Sequence, residues 1–163
     1  MAERSLRPAT EADADLLARL HAPCFEERWD AGAFARLLAT PGTGAWVAHD
    51  GDGRPVGYAA ARLAADQADI LSIAVLPDRR SAAHGRRLLQ ALLAGVTAAG
   101  ARTVYLEVAE GNTRARAFYI AAGFEEIGRR QGYYRAGPII EDAIVMRMAI
   151  RPAQETEQTS APS

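Results

Sequence analysis

Four groups of side chains in this chain could do chemistry. Glu107 lies in the alternating run Thr103–Ala109 and carries a carboxylate that can accept a proton. Tyr119 sits at helical spacing with Ala115, Phe118 and Ala122; its phenol stays protonated at pH 7 and can donate. Arg80-Ser81-Ala82-Ala83-His84-Gly85-Arg86 separates an apolar strand from a long amphipathic helix, and Cys24 is the only cysteine. Free N–H groups and the positive dipole end at a helix start favour an anion, and small residues let it approach the backbone. Each group also has a plain structural reading. A glutamate in a half-exposed strand points to solvent, and a tyrosine beside Phe118 packs in a core. Arginines before a helix make a solvated face. Cys24, without a His–Asn or His–Asp context, is a small half-buried thiol.

The loop at 80–86 matches neither G-x-G-x-x-G nor G-K-[ST], so it is neither a dinucleotide fingerprint nor a P-loop. His21, His49 and His84 are scattered without ligand spacing, so no metal site is expected.

These residues need elements to position them. Thr10 and Asp13 form a variant capping box before a helix carrying Leu16, Leu17 and Leu20, ended by Pro23. Asp30 caps a second helix with Phe34, Leu37 and Leu38 on one stripe, stopped by Pro41-Gly42. Trp46–His49 and Val56–Leu63 read as strands joined by the turn Asp50-Gly51-Asp52-Gly53. An apolar strand follows over Asp69–Val75, closed by Pro77-Asp78, and then a helix from about Gly85 to Ala99. In the strand Thr103–Ala109, Tyr105, Glu107 and Ala109 share one side, and Val104, Leu106 and Val108 the other. Asn112 or Thr113 caps the last helix, and Gly123 stands as its C′ residue. Phe124–Arg130 and Asp142–Met148 read as two final strands, with Tyr133-Tyr134 and Gly137-Pro138 between them. This order predicts a mixed α/β sheet covered on both faces.

The length of 163 residues fits one domain, assigned to 1–151, with a polar tail over 152–163 expected to be disordered. A formal charge of −1 gives no electrostatic reason to expect nucleic-acid or membrane binding. The N-terminus lacks the apolar core of a signal peptide, and a cytoplasmic protein is expected. One cysteine excludes an internal disulfide.

The segment from Ala68 to Met148 resembles the bacterial ribosomal-protein alanine N-acetyltransferases, a branch of the GNAT superfamily. The stretches that carry this are ADILSIAVLPDRR, HGRRLLQALL, YLEVAEGNTRARAFYIAAGF, GRRQGYY and EDAIVM, with Glu107 five residues before Asn112 and twelve before Tyr119. The first half is similar more loosely, through the helix–loop–helix containing Phe25 and Trp29.

The resemblance implies a GNAT fold with about seven strands splayed in the middle, about four helices, and acetyl-CoA as cosubstrate without a metal. It implies that the backbone of Ile73, Ala74 and Val75 pairs with the pantetheine arm. Arg80, Ser81, Ala82, Ala83, His84, Gly85 and Arg86 cradle the pyrophosphate, and Asn112 reaches the cofactor. Glu107 becomes the base and Tyr119 the acid. Phe25, Trp29, Tyr133 and Tyr134 wall the acceptor groove, and the acceptor is the N-terminal amine of a protein, a ribosomal small-subunit protein in this branch. From the residues alone, Tyr133 and Tyr134 read equally as an aromatic pair packing a hairpin, and Trp29 as a core residue. The family loop reads Q/R-x-x-G-x-G/A, and Ala83 stands where its first glycine is usual. If that position needs left-handed geometry, its Cβ costs roughly 1 kcal/mol or more.

The chemistry is consistent with these roles. An α-amine has a reference pKa of about 7.7–8.0 and a lysine amine about 10.4, so one carboxylate suffices for the former far more readily. Acetylation of a lysine or a small-molecule amine, and non-catalytic binding of acetyl-CoA, stand as alternatives.

Overall fold

The computed structural model describes residues 5–136 and 138–150. The expected tail over 152–163 lies outside the described residues. Among the described residues seven strands form one sheet: β1 (Leu6–Pro8), β2 (Thr43–His49), β3 (Pro55–Ala64), β4 (Gln67–Val75), β5 (Thr103–Ala109), β6 (Glu125–Ala136) and β7 (Ile139–Ala149). Their spatial order is β1-β2-β3-β4-β5-β7-β6. Only β4 and β5 run parallel.

Among the described residues four α-helices cover the sheet: α1 (Ala14–His21), α2 (Ala31–Ala39), α3 (His84–Ala98) and α4 (Thr113–Ala121). The period-2 alternation of the strands supplies two apolar faces. Val47, Tyr58, Ala60 and Ala74 meet Leu17, Leu20 and Phe34 of α1 and α2. Ala48, Val56, Ala59, Ala61 and Val104 meet Leu88, Leu92 and Val96 of α3 on the other face. Alanines along β3 bring the helices close. Trp46 of β2 covers Gly95 of α3, where a Cβ would overlap the indole Cζ2.

The splay follows from pairing. β4 meets β5 over Gln67–Asp69 and Thr103–Tyr105 only, and from there β4 runs on to Val75 without β5 beside it. β5 stays paired with β7 along its whole length. A wedge therefore opens between the C-terminal ends of the two central strands, the place where open α/β sheets bind ligands.

Local signals explain most boundaries. Thr10 N–H donates to Asp13 (2.8 Å), although this box opens a short 3-10 turn, Glu11–Asp13, ahead of α1. Asp30 accepts from Ala33 N–H (2.8 Å) and Asn112 from Ala115 N–H (3.2 Å). At the end of α4, Gly123 has φ +106°, its N–H donates to Ile120 C=O (3.0 Å), and Phe124 N–H donates to Tyr119 C=O (3.0 Å). That double bond is the Schellman arrangement.

The last hairpin departs from the sequence reading. β6 runs through Ala136, so Tyr133 and Tyr134 lie inside a strand and not between strands. Two register shifts allow the extension, one at Glu126/Gly128 and one at Arg130/Tyr134. At the second, Gly132 adopts φ +63° and its N–H donates to Asp142 Oδ1 (2.9 Å), holding a bulge that periodicity cannot reveal.

Candidate active site

Two cavities meet in the wedge. The first, of ≈ 740 Å³, lies between the end of β4, the start of α3 and the flank of α4; Ile73, Ala74 and Val75 form its floor. Leu76 N–H donates to Val56 C=O (2.9 Å), in register with the pair Gly57↔Val75. Antiparallel alternation then turns the polar groups of Ala74 to β3 and those of Ile73 and Val75 to the wedge. A strand-like ligand arm can therefore hydrogen-bond to Ile73 and to the N–H of Val75, whose C=O is already taken.

At the mouth of this cavity Ala83 adopts φ +63°, ψ 14°, so the left-handed geometry that disfavours a Cβ is present. Ala83 supplies no side-chain oxygen to the first turn of α3, in contrast to the caps of α2 and α4. Gly85 lines the cavity, and a Cβ there would stand 3.6 Å from the Phe118 ring. Arg80 and Arg86 also line it, and Arg80 Nε donates to Val75 C=O (3.2 Å). Ser81 and Ala82 belong to the 3-10 turn Pro77–Ala82, whereas the His84 side chain is buried. Arg79 is turned to Asp50 (3.6 Å), and Arg87 Nη1 lies 3.4 Å from His84 Nδ1. Arg114 of α4 joins the lining, a contribution that depends on tertiary folding and has no local sequence signal.

The second cavity, of ≈ 1080 Å³, lies on the other side of the wedge. Phe25, Trp29, Tyr133 and Tyr134 line it, together with Glu107. Glu107 does not face bulk water alone. Arg130 Nη1 donates to its Oε1 (2.9 Å) and Oε2 (3.1 Å), with the guanidinium 4.0 Å above the Tyr133 ring. Tyr134 Oη donates to the Glu107 C=O (3.3 Å).

Phe25, Ile73, Asn112, Ala115 and Tyr119 border both cavities. Tyr119 is 7% exposed, edge-on to Phe118 and Phe124. Burial, reinforced by Tyr134, pushes its phenol well above the ordinary tyrosine range. It is therefore a proton-bearing group at the boundary. Asn112 spends its Oδ1 on Ala115, leaving its side-chain N–H groups to serve a ligand. Cys24 borders only the first cavity, donating weakly to Val75 C=O (3.4 Å), and burial pushes its thiol up, which opposes a nucleophilic role.

Sequence reasoning missed a relay in the wall of the second cavity. His21 Nε2 lies 2.8 Å from Glu27 C=O, which can only accept, so Nε2 carries the proton. In the neutral ring Nδ1 then accepts from Tyr58 Oη (2.7 Å), and Tyr58 accepts from Ser72 Oγ (2.7 Å). The His21 ring stacks on Phe25 (4.6 Å) and Trp29 (5.2 Å), so it holds the loop between α1 and α2 against the sheet. The local pattern offers no hint of these partners, 37 and 14 residues apart.

The family model described as Acetyltransferase (GNAT) family matches residues 14–124. The chain belongs to the GNAT acetyltransferase family. This GNAT protein is 38% identical over 144 residues to N-alpha-acetyltransferase RimI of Mycobacterium tuberculosis, covering 85% of this chain and 87% of that one. It is 36% identical over 99 residues to the [ribosomal protein bS18]-alanine N-acetyltransferase of Salmonella typhimurium, covering 61% and 67%. Its fold matches the crystal structure of the Escherichia coli ribosomal-protein-S18-alanine N-acetyltransferase with TM-score 0.84 at 27% identity, over 92% of this chain and 96% of that one. The GNAT protein is an N-acetyltransferase that uses acetyl-CoA, and the splayed seven-stranded sheet with four helices is the GNAT fold. Among the described residues no cluster of His, Cys, Asp or Glu could hold a metal, and no helix is long and apolar enough to cross a membrane.

Proposed function

We propose that the protein transfers the acetyl group of acetyl-CoA to the N-terminal α-amine of a protein, in the cytoplasm, with a ribosomal protein beginning with alanine or serine as acceptor. The observation that carries this reading is Tyr119, a buried proton donor on the wall between two cavities of opposite character. Arg80, Arg86 and Arg114 line the first, which takes the cofactor. Its pyrophosphate meets the arginines and the N–H groups at the start of α3, over the turn 80–86. Its pantetheine arm pairs with Ile73 and Val75 and passes Asn112.

The second cavity takes the chain end, between Phe25 and Trp29 on one side and Tyr133 and Tyr134 on the other. Glu107 removes a proton from the amine, directly or through one water. The nitrogen attacks the thioester carbon, the N–C bond forms and the C–S bond breaks. A wedge-facing N–H of β4 supports the carbonyl oxygen as charge develops. Tyr119 hydrogen-bonds the departing thiolate and gives it a proton, and the second proton, shed by the acetylated nitrogen, restores the phenol. Its raised pKa keeps that proton in place at neutral pH. The names of the Salmonella and Escherichia coli relatives support the ribosomal acceptor.

The test is a competition between a peptide with a free N-terminal alanine and one with a blocked N-terminus and an internal lysine. Faster acetylation of the alanine peptide is expected. Faster acetylation of the lysine peptide overturns the α-amine assignment.

A further inference from the structure

We infer that Arg130 occupies, in the acceptor-free enzyme, the position of the substrate's ammonium group, and that acceptor binding displaces it from Glu107. The inference rests on the reading of Glu107 as the group that receives the amine. Among its described lining residues the acceptor cavity carries four carboxylates, Glu26, Glu27, Glu107 and Glu141, and no lysine or arginine. One of them, Glu141, already accepts from Gly111 N–H (2.8 Å). Among the described side chains only Glu107 of these four is held by a cation, and that cation comes from outside the lining. Arg130 reaches in from β6, and one of its nitrogens spans both carboxylate oxygens, at 2.9 and 3.1 Å. An incoming ammonium would need the same two acceptors.

Arg130 is placed to leave. Its side chain is 53% exposed, so solvent screens the pair. It stems from the edge of the bulge at Arg130/Tyr134, where regular pairing with β7 lapses. The guanidinium also lies 4.0 Å from the Tyr133 ring, a cation–π contact made beside the Glu107 pair that does not use the carboxylate. The neighbouring Arg129 cannot substitute, because Glu110 (2.8 Å) and Asp142 (2.9 Å) hold it. Arg130 is thus a positioning residue that acts through Glu107 and sets the affinity for a cationic chain end.

The experiment measures binding without turnover. Protein saturated with CoA is titrated by calorimetry with an N-terminal alanine peptide, free or acetylated at its amine. Arg130→Gln should bind the free-amine peptide about two- to fivefold more tightly than wild type, the scale of losing one exposed competing ion pair. The acetylated peptide should bind both proteins equally. Equal or weaker binding of the free-amine peptide by Arg130→Gln, or no binding at all, overturns the inference, as does an equal gain for the acetylated peptide. A failure of the proposed function shows separately, as absent α-amine acetylation in a turnover assay.

Discussion

The cavity assigned to the cofactor is walled by three arginines and, among its described lining residues, no carboxylate; the acceptor cavity has four glutamates and no arginine or lysine. They differ in construction as well. Both lie against β4, but the first is closed by the start of α3 and the flank of α4, whereas the second is closed by the loop between α1 and α2 and by the bulged β6. A fixed ligand such as acetyl-CoA can be met by fixed backbone. A variable chain end is met by side chains, which substitution can retune without disturbing the fold. Mutations in the first cavity should therefore act on cofactor affinity, and mutations in the second on acceptor affinity. Only the boundary residue Tyr119 and its partner Glu107 should govern the chemical step.

The largest effect tests that boundary. Tyr119→Phe removes one hydroxyl from a buried ring, so acetyl-CoA binding should hold while kcat falls roughly 10²–10⁴-fold. With the wild-type phenol held protonated by burial, kcat should not decline between pH 7 and about pH 9.5. A rate from Tyr119→Phe equal to wild type would break the assignment. Next is Glu107→Gln, expected to lower the rate about 10²-fold at pH 7, with the deficit shrinking as pH rises and more amine is already neutral. A smaller effect sharpens the electrostatic contrast. Arg114→Ala should raise the KM for acetyl-CoA about three- to tenfold and leave the peptide KM alone, and the difference should narrow at high salt. A change in the peptide KM would show that the two cavities are not separable.

The smallest effect concerns the mouth of the cofactor cavity. Ala83 is left-handed, so Ala83→Gly relieves about 1 kcal/mol of steric cost. The greater freedom of glycine in the unfolded chain offsets part of that. The melting temperature should rise by up to about 2–4 °C, with acetyl-CoA binding equal or tighter. A fall in melting temperature would contradict the strain.

Features with local signals were legible in the sequence. The alternation over Thr103–Ala109 put Glu107 on the correct face, and Gly123 ended α4 as expected. The small-residue turn before α3 and the caps Asp30 and Asn112 also stood where the residues indicated. Whatever depended on distant partners was hidden. Arg114 reaches the first cavity only because α4 folds beside α3, and Arg130 meets Glu107 across 23 residues through a bulge. The His21–Tyr58–Ser72 relay joins three elements, and β6 extends through Tyr133 and Tyr134 because Gly132 permits a left-handed step. Residue types fixed local geometry, whereas partners across the sheet fixed the electrostatics of the site.

The most direct measurement offers both amines to the site at once. A single peptide with a free N-terminal alanine and an internal lysine is incubated with the protein and acetyl-CoA at pH 7, and fragment masses locate the acetyl group. The expected result is acetyl on the alanine nitrogen and none on the lysine while free chain ends remain. Acetyl on the lysine first, or on neither amine, would contradict it.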